Sequence, residues 1–514
     1  MKNLLLSFDL GTGGNKASLY TAEGACLASA FEPYDTHYPR VGWHEQAPQD
    51  WWRAVVASTQ KLLALSKVDP RDIAALGISG HSLGAVPMDK EGRLLREYTP
   101  IWSDVRAQLE AADFFSRVDA DHWYATTGNG FPAACYTVFK VMWYRAHEPE
   151  IFARVAKILG TKDYINYRLT GVIKTDHSYA SGTGVYDLLA QGYAAEFIAA
   201  SGLEPGIWPE ITASTEVLGG LTPAAAQELG LDPSTLVVCG GVDNSCMALG
   251  AKNTHDGRVY TSLGSSAWIA VSSTKPVLDT CYKPYVFAHV IPGMYTSAVS
   301  IFSAGTTYNW VKDNLCQDLA AEAASSGEDV YLLMNREAAK APVGSNKLLF
   351  NPSLAGGNSQ DPAVNLRGGY IGLDLKHGQP ELIRAAMEGI AMNLRLRLDL
   401  LRKYTRLEDE ILFVGGGAKS RFYLGIFADV FNARIIKSTI DQDAAALGAA
   451  ALAAVGGGLW QDFSRIDAIH HTVEVVEPVA KNQQLYARLL PIFERSTEAL
   501  ANLGELLHEI ELEN

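Results

Sequence analysis

Asp9, Thr12, Gly13 and Lys16 fall inside one short stretch, "LLLSFDLGTGGNKASLY", residues 4–20. An apolar run bounded by glycines reads as a core strand, and this one ends in an acid. An aspartate there needs a partner or a metal, because an unpaired buried charge is costly. Glycines permit positive φ and close backbone approach, so a turn built from them can cradle a phosphate. The same residues also read as a hairpin in which Gly13-Gly14 turn the chain into the strand "KASLY". The two readings are compatible, since a hairpin turn can also be a phosphate loop. A Walker P-loop is excluded because Lys16 stands where its second glycine belongs, and a Rossmann fingerprint fails at the same residue.

A second acid, Asp243 in "VVCGGVDNSCMALGA", follows a buried strand and opens an apparent helix. Alone it would be an ordinary helix cap. Asp9 and Asp243 each end a strand beside glycines, which suits one metal-associated carboxylate and one general base. Glycine-rich or hydroxyl-rich turns follow apolar strands at 9–16, 261–266, 303–307 and 415–420. Spread across the chain, they suggest a nucleotide gripped from two sides through backbone N–H groups.

Such residues need a large α/β frame to place them. The 514 residues are too many for one ordinary core, and 48% hydrophobic with 19% charged residues is the balance of a soluble globular protein. A net charge of -14 argues against nucleic acid or an anionic membrane as partner. Phosphates must then be handled by local loops and a divalent cation. Six scattered cysteines without a C-x-x-C pair read as reduced thiols in a cytoplasmic protein. No signal peptide and no membrane span is predicted.

Strands are predicted at 4–8, 16–20, 73–79, 84–88 and 235–240, and helices near 50–66, 106–117, 135–147 and 222–229. At 258–272, "RVYTSLGSSAWIAVSS" repeats the form of the first stretch, so two related α/β domains are expected, 1–250 and 251–514, joined near 248–257. The second half holds a long helix from Glu381 to Lys403 with an apolar stripe through Ile383, Met387, Ile390, Leu394, Leu398 and Leu401. After it come the strand "EILFVGGGAKS", a helix from Arg421 to Phe431, a strand at 434–436 and an Ala-rich helix over 443–455 ended by Gly456-Gly457-Gly458. The tail, 479–512, reads as a capping helix.

Taken together these motifs resemble the FGGY family of carbohydrate kinases, in the sugar kinase/actin/Hsp70 superfamily. "DLGTGGNK" is similar to that family's first phosphate motif, "YTSLGSS" to its second, and "LFVGGGAKSRFY" to its adenosine motif. "GGYIGLDLKHGQPELIRAAMEG" fits the C-terminal signature, and "YTVFKVMWYRAHEPE" most of the N-terminal one, with Lys140 and Trp143 in register. "GWHEQAPQDWW", "PIWSDVRA" and "TGNGFP" resemble xylulose-kinase-type members in particular.

The resemblance implies two actin-like (ribonuclease-H-like) α/β domains with a nucleotide and sugar cleft between them, ATP and Mg²⁺, and a homodimer as one assembly. It implies Asp243 as the general base toward the sugar hydroxyl, with Asp9, and Asp243 beside it, at the metal. Thr12, Gly13 and Lys16 match phosphate contacts of the first domain, and Gly264 and Ser265 those of the second. Gly305 and Asn309 are expected along the nucleotide cleft, and Gly416, Gly417 and Lys419 at the adenosine. Asn244 and Asp104 fit sugar-hydroxyl contacts, although Asp104 could equally pair with Arg106 for structure alone.

One departure concerns the acceptor. Where D-xylulose kinases carry Gln-Met-His-Gly, "GISGHSLGAVPMD" has His81, Ser82 and Leu83, so Leu83 replaces the histidine that touches the ketose. His81 either restores a hydrogen bond from one position earlier or is a satisfied loop histidine. The expected activity is phosphorylation of a pentulose of the xylulose type. The alternatives are another ketose or polyol, such as L-xylulose, ribulose, erythritol or glycerol, and a nucleotide-driven clamp without sugar chemistry.

Overall fold

The computed structural model describes residues 2–441 and 443–510. The chain forms two compact units. One comprises the chain up to Asp256 together with Ser272–Ser297 and Asp443–His470. The other is Gly257–Val271, the long stretch that begins at Ala298, and the tail from His471.

In the first unit the strands run in the order Val217–Gly220, Leu236–Val238, Ile73–Gly80, Leu4–Gly11, Gly14–Thr21 and Cys26–Pro33, with Gly241–Val242 also pairing to Ile73–Gly80. Leu4–Gly11 is antiparallel to Gly14–Thr21 and parallel to Ile73–Gly80. A strand flanked on both sides and covered on both faces is apolar throughout, which is why "LLLSF" shows no alternation. The edge strand Cys26–Pro33 is largely exposed, its Leu27 and Phe31 included.

The Ala-rich helix, Ala444–Gly456, packs in this first unit although it lies late in the chain. Small residues bring it there. A Cβ on Gly77 would sit 2.3 Å from the carbonyl oxygen of Ala449, and one on Gly250 would sit 1.7 Å from that of Ala444. The helix therefore lies directly on the strand Ile73–Gly80 and on the helix Asp243–Gly250, and alanine is the side chain that this distance admits. A second apolar cluster of the unit gathers Leu83, Phe114, Trp123, Phe139 and Trp143.

The other seven-stranded sheet runs Tyr285–Ala288, Tyr295–Ile301, Ala267–Ser273, Val259–Leu263, Glu410–Val414, Arg434–Ser438 and Thr472–Val476. Val259–Leu263 is antiparallel to Ala267–Ser273 and parallel to Glu410–Val414. The strand, its hairpin partner and its parallel neighbour thus repeat the arrangement at residues 4–21 and 73–80, as the echo in the sequence suggested.

The long helix is Gln379–Tyr404 with its six stripe residues buried, and Arg421–Phe431 forms as read. The last helix, Ala480–His508, accommodates Pro491 in its interior, and residues 511–512 of the expected tail lie outside the described residues. Among the described residues no helix is long and apolar enough to cross a membrane.

Candidate active site

The pairing of Gly11 with Gly14 leaves Thr12-Gly13 as the two-residue turn, one position earlier than the Gly13-Gly14 turn expected. Packing explains the shift. A Cβ on Gly14 would sit 2.4 Å from the Phe31 ring and 2.5 Å from the carbonyl oxygen of Glu32, so glycine is required there by the third strand, whereas Gly13 faces open space. Thr12 and Gly13 are exposed.

Three side chains brace this turn. Gln46 Nε2 donates to the carbonyl of Thr12 at 2.7 Å, Trp102 Nε1 donates to Thr12 Oγ1 at 2.9 Å, and the Tyr34 hydroxyl donates to the carbonyl of Gly11. None of the three was among the expected site residues. The only sequence signal for them lay in "GWHEQAPQDWW" and "PIWSDVRA", which hold Gln46 and Trp102.

Asp9 stands opposite Lys16 in the hairpin register and accepts a hydrogen bond from Ser79 Oγ at 2.8 Å. Burial raises its pKa, while Ser79 and the Lys16 ammonium act the other way. The Lys16 ammonium meets the carboxylate of Asp443 at the start of the Ala-rich helix, so this expected phosphate contact is held in an ion pair.

Asp243 lies in the first turn of Asp243–Gly250, and Val242 occupies the cap position. Its carboxylate accepts the N–H of Asn244 at 2.8 Å. The residue keeps some exposure, yet protein surrounds the carboxyl closely enough that burial pushes its pKa up to about 7, with the charge of Asp9 adding to the rise. Gly241 and Val242 pair with Ser79 and Gly80, so the strand that supports Asp9 also supports the entry to Asp243. The charge of Asp9 reaches the Asp243 carboxyl, which places both acids in one electrostatic neighbourhood.

The expected acceptor residues are placed differently. His81 is 1% exposed, its ring nitrogens lie 3.1 and 3.2 Å from Thr161 Oγ1, and its ring meets Trp51 edge-on. Burial pushes its pKa down to about 4, so it is neutral. Ser82 and Leu83 are also buried, and Leu83 takes the left-handed backbone conformation at φ 60°. Asp104 is fully buried, with its carboxylate on Arg106 at 2.9 and 2.7 Å and on the His44 N–H at 2.7 Å. It presents no exposed oxygen to a sugar, and its place in the structure is the Arg106 pair. Asn244 stays partly exposed beside Asp243.

In the second unit Gly264, Ser265, Gly305, Asn309, Gly416, Gly417 and Lys419 all line one cavity of about 540 Å³, a volume suited to a small ligand. The N–H groups of Gly305 and Thr306 donate to the carbonyls of Gly264 and Ser265, both at 3.0 Å. A Cβ on Gly305 would sit 2.4 Å from the Gly264 oxygen, so only glycine lets these segments close. Tyr308, Tyr331 and Tyr423 also line the cavity, with Tyr308 and Tyr331 stacked at 5.9 Å, and Asn335 donates to Ser420 at 3.0 Å. These side chains went unread because aromatic residues at helical spacing look like core.

Gly305→Ala forces the 264–265 turn outward, costs about 1–3 kcal/mol of stability and raises KM for ATP several-fold. At Gly416 a Cβ meets no atom within 4 Å, so Gly416→Ala leaves Tm unchanged and alters only nucleotide binding. Thermal melts and ATP titrations of the two variants check this. Equal effects of both on Tm would refute the packing difference.

Comparison with known proteins agrees with this geometry. The N-terminal domain of the FGGY family of carbohydrate kinases matches residues 4–250, and the C-terminal domain of that family matches residues 259–457. The chain is 30% identical over 491 residues to the xylulose kinase of Bacillus subtilis (strain 168), covering 95% of each chain. It is similar to the crystal structure of xylulose kinase from Rhodospirillum rubrum, with a TM-score of 0.89, 28% identity, and 98% and 100% of the two chains covered. It is also similar to that of gluconate kinase from Lactobacillus acidophilus, with a TM-score of 0.87, 27% identity, and 97% and 98% covered. With two seven-stranded sheets in the actin-like manner of these structures and both of the family's domains matched in order, the chain belongs to the FGGY family of carbohydrate kinases.

Proposed function

We propose that this protein transfers the γ-phosphate of ATP to a hydroxyl of a pentulose of the xylulose type, with Asp243 as general base. The observation that carries the reading is Asp243 itself, a carboxylate at a helix start whose pKa burial pushes up to about 7 and which feels the charge of Asp9. Phosphoryl transfer depends on positioning and charge stabilisation, and a base of this kind accepts the hydroxyl proton at pH 7 and above. Residues 1–250 are proposed to hold the sugar and the first phosphate loop, and residues 251–514 the second loop, the adenosine and the last helix. The six unpaired cysteines fit work in the cytoplasm. The homodimer that the resemblance implies is read out by light scattering.

A second reading, a ketose or polyol other than D-xylulose, is favoured by Leu83 in place of the family's histidine and by the likeness to gluconate kinase. Coupled ADP release over D-xylulose, L-xylulose, ribulose, erythritol, glycerol and gluconate decides between the two. ATP turnover unaffected by every one of them would favour the clamp instead.

For Mg²⁺, the donors on offer are the carboxylates of Asp9 and Asp243. No group of three or more His, Cys, Asp or Glu among the described residues is arranged to hold a metal. Few carboxylates suit Mg²⁺, which keeps its waters and takes its other ligands from substrate phosphates. The ion would neutralise charge on the transferring phosphate. Asp9→Asn is expected to raise the Mg²⁺ concentration needed for half-maximal rate, with partial recovery at high Mg²⁺ and unchanged sugar binding. An unaltered Mg²⁺ titration would reduce Asp9 to a strand-end residue held by Ser79.

A further inference from the structure

A group of charges lies wholly inside the first unit. Lys162 and Asp176 are fully buried and Asp163 is 1% exposed. Lys162 Nζ lies 2.6 Å from Asp163 and 3.0 Å from Asp176, and faces Cys239 Sγ at 3.8 Å. Burying such a group is costly, and well-packed apolar residues would often serve stability as well or better. A use in fixing position is the better account of it.

The cluster leads to Asp243 through one hydroxyl. Asp176 caps the short helix His177–Ala180 and accepts from Ser214 Oγ at 2.7 Å and from the Ser178 hydroxyl. Since that hydroxyl donates to Asp176, its lone pairs are turned outward, and they accept the N–H of Val242 at 2.9 Å. Val242 is the cap residue directly before Asp243. The same strand end is tied at two further points, Asn166 Nδ2 to the carbonyl of Cys239 at 2.7 Å and the Gly240 N–H to the carbonyl of Ser214 at 3.0 Å.

We propose that Lys162, Asp176 and Ser178 form a positioning relay that fixes the backbone at Val242 and thereby aims the Asp243 carboxylate at the acceptor hydroxyl. Ser178 is the positioning residue, since its hydroxyl joins Asp176 directly to the N–H of the cap residue Val242. The inference rests on Asp243 being the base. A displacement of about 1 Å in a reacting group can cost on the order of 10²-fold in rate, and a cap whose N–H has lost its acceptor is held less tightly, by its strand pairing and the ties at Cys239 and Gly240.

Ser178→Ala removes one buried oxygen and leaves the charges in place. We expect kcat on the best acceptor to fall about 10- to 100-fold, with KM for acceptor and for ATP within about twofold. Asp176→Asn, which releases the hydroxyl from its fixed orientation, should lower kcat in the same manner. The deciding comparison is Ser178→Ala in an Asp243→Ala background, where a residue acting only through Asp243 changes the residual rate by less than about twofold. An equal loss in both backgrounds, or a kcat per folded molecule unchanged in Ser178→Ala or Asp176→Asn, overturns the relay. Failure of the reading beneath it looks different, because Asp243→Ala alone would then stay near wild type.

Discussion

Asp243→Ala is expected to lower kcat for sugar phosphorylation by on the order of 10²–10⁴-fold, the usual contribution of a general base. Its affinity for ATP should stay near wild type. In the proposed role the carboxylate serves the acceptor hydroxyl, while the cavity that holds the expected nucleotide residues is lined by Gly264, Gly305, Gly416 and their neighbours in the other unit. Single-turnover phosphorylation and nucleotide titration measure the two quantities separately. A variant within threefold of wild type in kcat would sink the assignment.

The same residue sets a pH dependence of known sign. Burial pushes its pKa from 3.8 up to about 7, so the base takes a proton as pH falls through 7 and kcat should drop about tenfold per unit below that. Stability runs the opposite way. Between about pH 4 and 7 the folded carboxyl holds a proton that the unfolded chain has released, so this residue's contribution is fully present below pH 4 and is lost as pH rises through 7. At pH 8 the native state carries a poorly solvated charge. Asp243→Asn should therefore melt higher than wild type at pH 8, with the gain fading toward pH 4, while losing activity at both. A lower Tm at pH 8 would mean that the carboxylate is well solvated.

Both acids were legible in the sequence because each interrupts an apolar run beside glycines, and burial of the run leaves the acid few places to go. Gly305 and Gly417 were legible for a related reason, since close approach of the neighbouring segment at Leu263–Ser265 admits no side chain. The Arg106 pair of Asp104 was one of the two readings its neighbours allowed, whereas its bond to the backbone N–H of His44, sixty residues away, had no local signal. Lys16 was expected as a phosphate contact with no partner named, and its partner Asp443 is brought by a helix whose destination depends on glycines 77 and 250. Composition announced that helix and its alanines, but not the strand it covers. His81, Ser82 and Leu83 drew attention by comparison with relatives, and the fold shows a constraint that loop alignment lacks, namely that the Leu83 side chain belongs to an aromatic-rich core. Replacing it with histidine would unpack that core before it could add a contact to a sugar.

Lys140→Met should reduce kcat/KM for the acceptor on the order of 10²-fold while KM for ATP moves less than about twofold. Lys140 sits in the helix Thr137–His147, fully buried, and its ammonium donates to the carbonyls of Leu83 at 2.9 Å and Ile101 at 2.6 Å. Burial pushes its pKa down to about 8. Leu83 pays for nothing in return by itself: a left-handed backbone costs a leucine roughly 1–2 kcal/mol, and the lysine holds that conformation by binding its carbonyl. Ile101 precedes Trp102, the residue that donates to Thr12 in the hairpin turn. One ammonium thus fastens the 81–84 loop and, through Trp102, the turn beside Asp9. Methionine keeps the length of the chain but removes the donors; the Ile101 carbonyl retains the Asp104 N–H at 3.1 Å, whereas the Leu83 carbonyl loses the ammonium that fixed it, at a cost of about 1–3 kcal/mol. Lys140→Arg, which retains donors, should recover part of the acceptor kcat/KM. If Lys140→Met only melts earlier, with acceptor kcat/KM per folded molecule within threefold of wild type, the lysine supports the fold and does not shape the acceptor site.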